Sequence, residues 1–177
     1  MQVVLLGRDT MRKEYVLKRR GQALDIIVLF WLRHKQKLDL HLQLEHLAGN
    51  TTGLAWIRGV VEDQGEANIV GQIKIGGRAS KSDSFLRINV LMLGPTAKVQ
   101  VTPQLEILNN EIKASHAATI GGFDQEEMFY LTSRGLKEDQ AKGLLIEGFF
   151  QPVLEKIKNT RVRLTAANAM ISDVEIS

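Results

Sequence analysis

The chain of 177 residues contains no cysteine. It therefore cannot form a disulfide, offer a thiolate to a metal or use a thiol nucleophile, and this composition fits a reducing compartment. Aromatic residues make up only 6% of the chain, with two tryptophans, which disfavours a carbohydrate-binding or hydrolytic β protein. Three prolines leave no proline-rich linker between domains.

Long apolar runs are also missing. The segment from Leu24 to Leu32 is apolar except for Asp25, and it is well short of a membrane span. The run from Val3 to Leu6 is too short for the core of a signal peptide, and Arg8 follows it closely. We therefore expect a cytoplasmic protein without a membrane partner.

Excess charge is scarce as well. The formal net charge is +3, and the basic residues are scattered apart from two runs, 18–20 and 33–35. A nucleic-acid interface would show a basic stripe interleaved with aromatic residues, so no nucleic-acid partner is expected. The apolar share of 44% and the charged share of 24% are typical of a folded globular chain.

The first two thirds of the chain show the period of two that is typical of strands. The segment Leu38–Leu44 places four leucines on one side and three polar residues on the other. The same period occurs in four further segments, 69–75, 86–92, 99–107 and 112–120. Residues 25–32 are apolar on both faces, which indicates a doubly covered strand or a short buried helix. Their β-branched content favours the strand.

Turn-forming residues separate these segments, so that strands recur roughly every 12–18 residues without helices between them. Such spacing suits an antiparallel sandwich or barrel. It equally suits a β-solenoid, in which each strand stacks on the next coil. The segments share no consensus, so periodicity alone does not choose between the two architectures.

The pattern becomes helical at Phe123. Asp124 is the predicted N-cap, with Glu127 completing a capping box, and this helix should run to about Arg134. Gly135 is well placed for a left-handed C-terminal cap. These signals divide the chain into a β body, residues 1–122, and a helical arm, residues 123–177.

The rest of the helical arm is expected to pack on the β body, because no flexible linker separates them. A second helix is predicted from Glu138 to Gly148, and Pro152 is predicted to open a third helical turn. A short helix with a loose end is expected near 162–170. Stacked strands leave an open end, and a helical segment is one way to cover it.

No catalytic residue is predicted. The sequence lacks a phosphate-binding loop, a nucleophile elbow and a zinc-binding histidine motif. The carboxylate pairs are adjacent in sequence, and two of them lie in first turns of helices, where negative charge is favoured. We therefore interpret these pairs as structural, and we do not expect an enzyme.

The four histidines are candidates for metal ligands. His34, His41 and His46 are interpreted as surface or cross-strand polar residues. His116 shares its strand phase with Ile112, Ala114, Ala118 and Ile120, so it should point toward an apolar face. It is therefore either a buried, hydrogen-bonded histidine or a functional one.

The aromatic residues of the first predicted helix raise a second question. Met128, Phe129, Tyr130 and Leu131 are consecutive, and a three-turn helix cannot bury all of them on one side. Either the β body and the second helix cover them, or some form a protein-binding face, at which aromatic and arginine side chains are the usual anchors.

Residues 103–121, PQLEILNNEIKASHAATIG, resemble the core signature of the SufB/SufD family, and so do 124–135 and 141–149. The resemblance is continuous from about 99 to 149 and weaker at 56–61 and 71–75. It implies a mainly β fold, a right-handed parallel β-helix with a C-terminal helical segment. It also implies a non-catalytic scaffold role in iron–sulfur cluster assembly by the SUF system.

The resemblance further implies the partners. A SufB-like and a SufD-like subunit join through the ends of their β-helices, or one kind pairs with itself, and the C-terminal helices bind a SufC-like ATPase. His116 matches the family histidine at the pairing interface. Four residues match the motif of the ATPase-binding region: Phe129, Tyr130, Arg134 and Gly135.

Several departures from the family pattern refine this picture. The SufB partner relies on a cysteine, so the resemblance is to the SufD side. No cofactor is expected to bind stably, and a transient iron–sulfur cluster would need a partner's ligands. The N-terminal helical region of the family is missing from the sequence. Ala117 stands where glycine is usual, and Lys137 replaces the common serine cap. An interaction-only module that has lost cluster assembly is the alternative function.

Overall fold

The computed structural model describes residues 1–7 and 9–171, and these residues form nine strands followed by three helices. The strands are β1 (Gln2–Leu6), β2 (Asp9–Leu17), β3 (Ala23–Leu32), β4 (Lys37–His46), β5 (Thr52–Glu62), β6 (Glu66–Ile75), β7 (Asp83–Leu93), β8 (Lys98–Ile107) and β9 (Lys113–Gly121). The helices are α1 (Gln125–Ser133), α2 (Glu138–Leu154) and α3 (Thr160–Ile171).

Every strand pair in the described part of the chain is parallel. The odd-numbered strands form one sheet in the order β1-β3-β5-β7-β9, and the even-numbered strands form the other in the order β2-β4-β6-β8. The chain thus alternates between two facing sheets through four complete coils and begins a fifth with β9. The β-solenoid is confirmed, and the antiparallel sandwich and barrel are excluded.

Two rows of left-handed backbone conformations mark the corners of the coils. One row consists of Gly21, Asn50 and Lys81, with φ of 73°, 54° and 57°. The other consists of His34, Asp63 and Gly94, with φ of 55°, 54° and 108°. Within each row the members are 29 and then 31 residues apart, which is the length of one coil. Five different residue types fill these equivalent positions, which explains why the sequence shows no consensus repeat.

The inner faces of the two sheets pack against each other in one apolar core. The four leucines of β4 predicted to share one face, Leu38, Leu40, Leu42 and Leu44, are all buried there. The ring of Phe30 occupies the space above Gly59, where an added Cβ atom would lie 2.2 Å from a ring carbon. The position opposite Phe30 in β5 therefore requires glycine, which has no side chain.

The outer face of the five-stranded sheet forms a second apolar layer with the helices. Ile27 and Leu29 of β3 point outward and are fully buried against α2 and α3. Phe150 of α2 is also fully buried in this layer, and its ring lies 6.5 Å from that of Trp31. Residues 25–32 are therefore a doubly covered strand, as their apolar composition predicts.

Polar contacts attach the helical arm to the first coils. The Gln2 side chain donates to the Lys156 carbonyl and accepts from the Lys158 N–H, both at 2.8 Å. Lys158 Nζ lies 3.1 Å from Asp25 Oδ2. Arg58 Nη1 donates to the Phe149 carbonyl at 2.5 Å. The chain after β9 thus returns along the solenoid. Within residues 9–171 the helices do not cover the last strands, so they do not close the open end.

The helix boundaries differ from prediction at one proline. Pro152 lies inside α2, so the prediction that it opens a new helical turn is wrong. It stands in the last turn, where its missing N–H removes one hydrogen bond, while the buried Phe150, Val153 and Leu154 hold the helix on the sheet. α3 contains the predicted segment 162–170, and the expected loose end from 172 onward lies outside the described residues.

The predicted division at residue 122 falls between the end of β9 at Gly121 and the start of α1 at Gln125. Because the helices share an apolar layer with the sheet, the treatment of body and arm as two units stays a prediction. Among the described residues, no helix is both long enough and apolar enough to cross a membrane.

Candidate functional site

His116 stands at the end of a column of buried side chains. Strand register places Ile26, Ala55, Leu86 and His116 in successive strands of the five-stranded sheet. The first three are at most 1% exposed, whereas His116 is exposed. The imidazole follows the inward direction of the column, and its exposure arises because no further strand pairs with β9 in the described part of the chain.

The surroundings of His116 form an open apolar end. The last rung is defined as β8 and β9. Its inward-facing residues are accessible to solvent, whereas the equivalent residues of earlier coils are buried. Leu105, Ile107 and Ile120 are 36%, 42% and 44% exposed. Within the described residues, β8 pairs only with β6 and β9 only with β7. Each strand therefore has one free edge, whose backbone donors and acceptors can accept another strand.

Helix α1 forms the second candidate surface. Asp124 caps it by accepting from the Glu126 N–H at 2.8 Å, and two glutamates occupy its first turn. None of its residues is fully buried. Phe129 is 74% exposed and Tyr130 57%, so the β body and the second helix do not cover them. The Arg134 guanidinium lies 5.2 Å from the centre of the Tyr130 ring, within cation–π range.

Gly135 has a structural role that is independent of any partner. Its φ of +96° ends α1 in the left-handed conformation that the sequence predicts. Its N–H bonds to the Thr132 carbonyl at 3.0 Å, and the Leu136 N–H bonds to Leu131 at 3.3 Å. This is the Schellman pattern, which satisfies the last carbonyls of the helix and redirects the chain toward α2.

The cap of α2 shows how the sequence tolerates Lys137. No side-chain oxygen is available there, but the Gln140 Oε1 accepts from the Lys137 N–H at 3.0 Å. This is one half of a capping box. The helix begins at Glu138, as predicted, despite the lost serine.

Of the two alternatives for His46, the surface position is wrong and the cross-strand contact is present, because His46 of β4 bonds to Ser84 of β7 in the core. It is fully buried, with Nδ1 2.7 Å from Thr51 Oγ1 and Nε2 3.0 Å from Ser84 Oγ. Burial lowers the pKa of His46 to about 4, opposed by the negative charge of Asp83. The available signal was its phase, because His46 continues the inward series of leucines in β4.

The other histidines agree with the sequence analysis. His34 is exposed at a corner, with Nδ1 3.3 Å from Asp63 Oδ2, and His41 is half-buried in β4. In the part of the chain that the structure describes, no group of three or more His, Cys, Asp or Glu side chains could hold a metal ion. The predicted site residues therefore fall into two surfaces, with His116 on the last rung and the aromatic pair on α1.

Comparison with known proteins assigns the chain to a family. The family described as the SufBD core domain of SUF system FeS cluster assembly matches residues 2–149. The chain is 35% identical over 157 residues to the iron–sulfur cluster assembly protein SufD of Escherichia coli (strain K12), covering 88% of this chain and 37% of that protein.

Two further relatives support the same assignment. An iron–sulfur cluster assembly SufBD family protein of Mycobacterium tuberculosis (strain H37Rv) is 32% identical over 176 residues, covering 93% of this chain and 44% of the relative. One of Pyrococcus horikoshii is 34% identical over 119 residues, covering 67% and 25%. The chain thus spans less than half the length of these relatives. It belongs to the SufB/SufD family of the SUF system for iron–sulfur cluster assembly.

Proposed function

We propose that this chain is a non-catalytic scaffold subunit of iron–sulfur cluster assembly in the cytoplasm. It pairs through the last rung with a SufB-like subunit or with a second copy of itself. It recruits a SufC-like ATPase through residues 123–158 of the C-terminal helical arm, which contain α1 and α2. The observation that carries the proposal is the combination of an unpaired solenoid end with an exposed aromatic helix.

Pairing through the last rung would extend both sheets at once. A partner strand beside β9 would use the free backbone edge, and its side chains would cover Leu105, Ile107 and Ile120. The same coil would enclose His116, which then continues the column of buried residues into the partner. Apolar burial and backbone hydrogen bonds both favour such an end-to-end contact.

Recruitment through α1 rests on its aromatic face. Phe129 and Tyr130 are large apolar side chains that this chain leaves open to solvent. Beside them runs a groove whose lining combines Met92, Phe123 and Met128 with Glu62 and Glu138. Aromatic and arginine anchors beside a polar rim are typical of protein-binding hot spots.

The cluster itself would be cargo. One imidazole at His116 cannot hold an iron–sulfur cluster, and this chain has no thiolate. The thiolates must therefore come from a partner, with His116 lining the interface as a proton donor or acceptor or as a transient iron ligand.

Co-expression with the cognate ATPase tests the recruitment. We expect the two proteins to co-purify, and we expect Phe129→Ala with Tyr130→Ala, or Arg134→Glu, to abolish the complex. Matched controls are Val162→Ala with Leu164→Ala, and Arg161→Glu, which change exposed residues on α3. Failure to co-purify, or equal loss in the control variants, would contradict the proposal.

Light scattering after size-exclusion chromatography tests the pairing. Ile120→Lys on the last rung should prevent association with the SufB-like subunit or with itself. Leu144→Lys, on an exposed site of α2, should leave it intact. A chain that stays monomeric alone and with the SufB-like subunit would overturn the pairing.

The second candidate function is an interaction-only module that kept the fold and lost cluster assembly. The absence of cysteine favours it. His116→Ala separates the two functions. Impaired cluster delivery in cells with a normally folded variant supports the scaffold, whereas normal delivery supports the interaction-only module.

A further inference from the structure

One corner of the solenoid carries a concentration of basic side chains. This basic corner consists of the four successive segments 18–23, 47–52, 76–83 and 108–113, which connect the four-stranded sheet to the five-stranded sheet. Its six basic residues, all exposed, are Lys18, Arg19, Arg20, Arg78, Lys81 and Lys113. With only Asp83 and Glu111 as acidic residues, the corner has a net charge of +4, whereas the whole chain has +3.

Backbone hydrogen bonds hold the turns of the basic corner in a stack. The Asn50 N–H donates to the Ser80 carbonyl at 2.9 Å, and the Lys81 N–H donates to the Glu111 carbonyl at 2.6 Å. Adjacent strands are about 4.8 Å apart, so the six cations lie within about 15 Å along the solenoid axis. The fold therefore gathers into one surface residues that are distant in sequence.

The opposite corner, formed by segments 33–37, 62–66 and 94–98, pairs most of its cations with carboxylates, and the basic corner does not. At the opposite corner, Lys37 and Lys98 lie 2.8 and 3.3 Å from the carboxylate of Glu66. Among the described residues, none of the six cations of the basic corner has a carboxylate oxygen within 4.0 Å. Such a cluster repels itself and attracts an anionic partner.

Apolar residues within the basic corner indicate what kind of anion fits. Leu47 and Leu108 are 43% and 68% exposed, and each directly follows an even-numbered strand, as Lys18 does. The corner contains no aromatic residue on which a base could stack. Exposed leucines among cations match carboxylates interspersed with apolar side chains better than a phosphate backbone.

We propose that the basic corner binds an acidic segment of a partner protein, in which glutamate or aspartate residues are interspersed with apolar ones. Its carboxylates contact the arginines and lysines of the stacked turns, and its apolar side chains cover Leu47 and Leu108. The corner adjoins the last rung at Lys113, the first residue of β9, but its other five cations lie outside both the last rung and α1. The binding therefore does not depend on the function proposed above.

Fluorescence anisotropy with a labelled peptide of five Glu-Glu-Leu-Gly repeats tests this proposal on the whole chain. Arg19→Glu, Arg78→Glu and Lys81→Glu combined should weaken binding at least about tenfold, because each substitution replaces attraction by repulsion. The matched control combines Lys35→Glu, Lys137→Glu and Arg161→Glu, which change the net charge equally at exposed sites elsewhere. It should retain most of the affinity. Thermal unfolding checks that both variants fold.

Three results would overturn the proposal. One is no binding of the peptide to the unaltered chain. Another is equal weakening of peptide binding in both triple variants, which would show that the affinity depends only on the net charge of the chain. The third is tighter binding of a labelled thymidine oligonucleotide of the same charge, which would assign the corner to nucleic acid. Leu108→Ser should weaken binding of the peptide at least about threefold. An unchanged affinity would contradict the proposed apolar contact at Leu108.

Discussion

β3 and β4 are consecutive strands of ten residues each, yet their sequences follow different rules. β4 alternates between leucines and polar residues because only its inner face is covered. β3 is apolar almost throughout because the solenoid core covers its inner face, and α2 and α3 cover its outer face. The apolar pattern of a strand therefore indicates how many of its faces are buried.

The inner face should be the most sensitive to substitution. Phe30→Ala removes a fully buried ring and leaves a cavity above Gly59, so we expect a loss of about 4 kcal/mol in the free energy of unfolding. Urea unfolding monitored by circular dichroism measures it. A loss below about 1 kcal/mol would mean that the inner faces are not the main core.

Exchanging residue types between the two outer faces tests the comparison directly. Leu29→Gln buries an amide against the helices and should cost about 3 kcal/mol. Gln43→Leu, on the half-buried outer face of β4, should change stability by less than about 0.5 kcal/mol. Equal effects on the midpoint of urea unfolding would show that the helices do not cover β3 in solution.

The buried histidine of β4 should make the inner face sensitive to acid. His46 has a folded-state pKa of about 4 against 6.5 for the free group, so protonation favours the unfolded chain. The contribution of His46 to the free energy of unfolding is complete above pH 6.5 and declines as the pH falls toward 4. At pH 5 the free energy of unfolding should be lower by about 2 kcal/mol. Denaturant midpoints between pH 5 and 8 measure this decline. His46→Gln should flatten that part of the profile, and an unchanged slope would contradict the assignment.

The contacts between the helical arm and β1 should give the smallest effect. Gln2→Ala removes two partly solvent-exposed hydrogen bonds to the segment between α2 and α3, so we expect about 1 kcal/mol. Hydrogen exchange should detect faster opening of residues 155–158, with unchanged protection of β4. Uniformly faster exchange across both sheets would show instead that the arm and the solenoid open together.

Much of the secondary structure of this protein could be predicted from short stretches of its sequence. The alternation at 38–44, the cap at Asp124 and the turn at Gly135 each depend on a few neighbouring residues, and the structure agrees with all three. Pro152 failed as a helix-start signal because tertiary packing outweighs one lost hydrogen bond. Residue type alone does not predict the burial of His46, whereas its strand phase does.

The candidate sites were only partly accessible to this reasoning. The crowding of apolar residues on a short helix left the exposure of Phe129 as one of two alternatives, and the structure decides for exposure. The position of His116 at an open end does not follow from its strand pattern, which resembles that of the buried strands before it, and only the family resemblance implied it. Likewise, the basic corner brings together four connecting segments, and its six cations come from three of them that are far apart in sequence.

Short stretches of the sequence specify where strands and helices form and which side of most strands is apolar, because those properties depend on nearby residues. The tertiary structure was needed to show that the strands pair in parallel across 29–31 residues, that the helices cover β3, and that β9 is the last strand of the stack among the described residues. The physical reason is that strand pairing and helix docking depend on side chains distant in sequence, whose contacts leave no periodic trace along the chain.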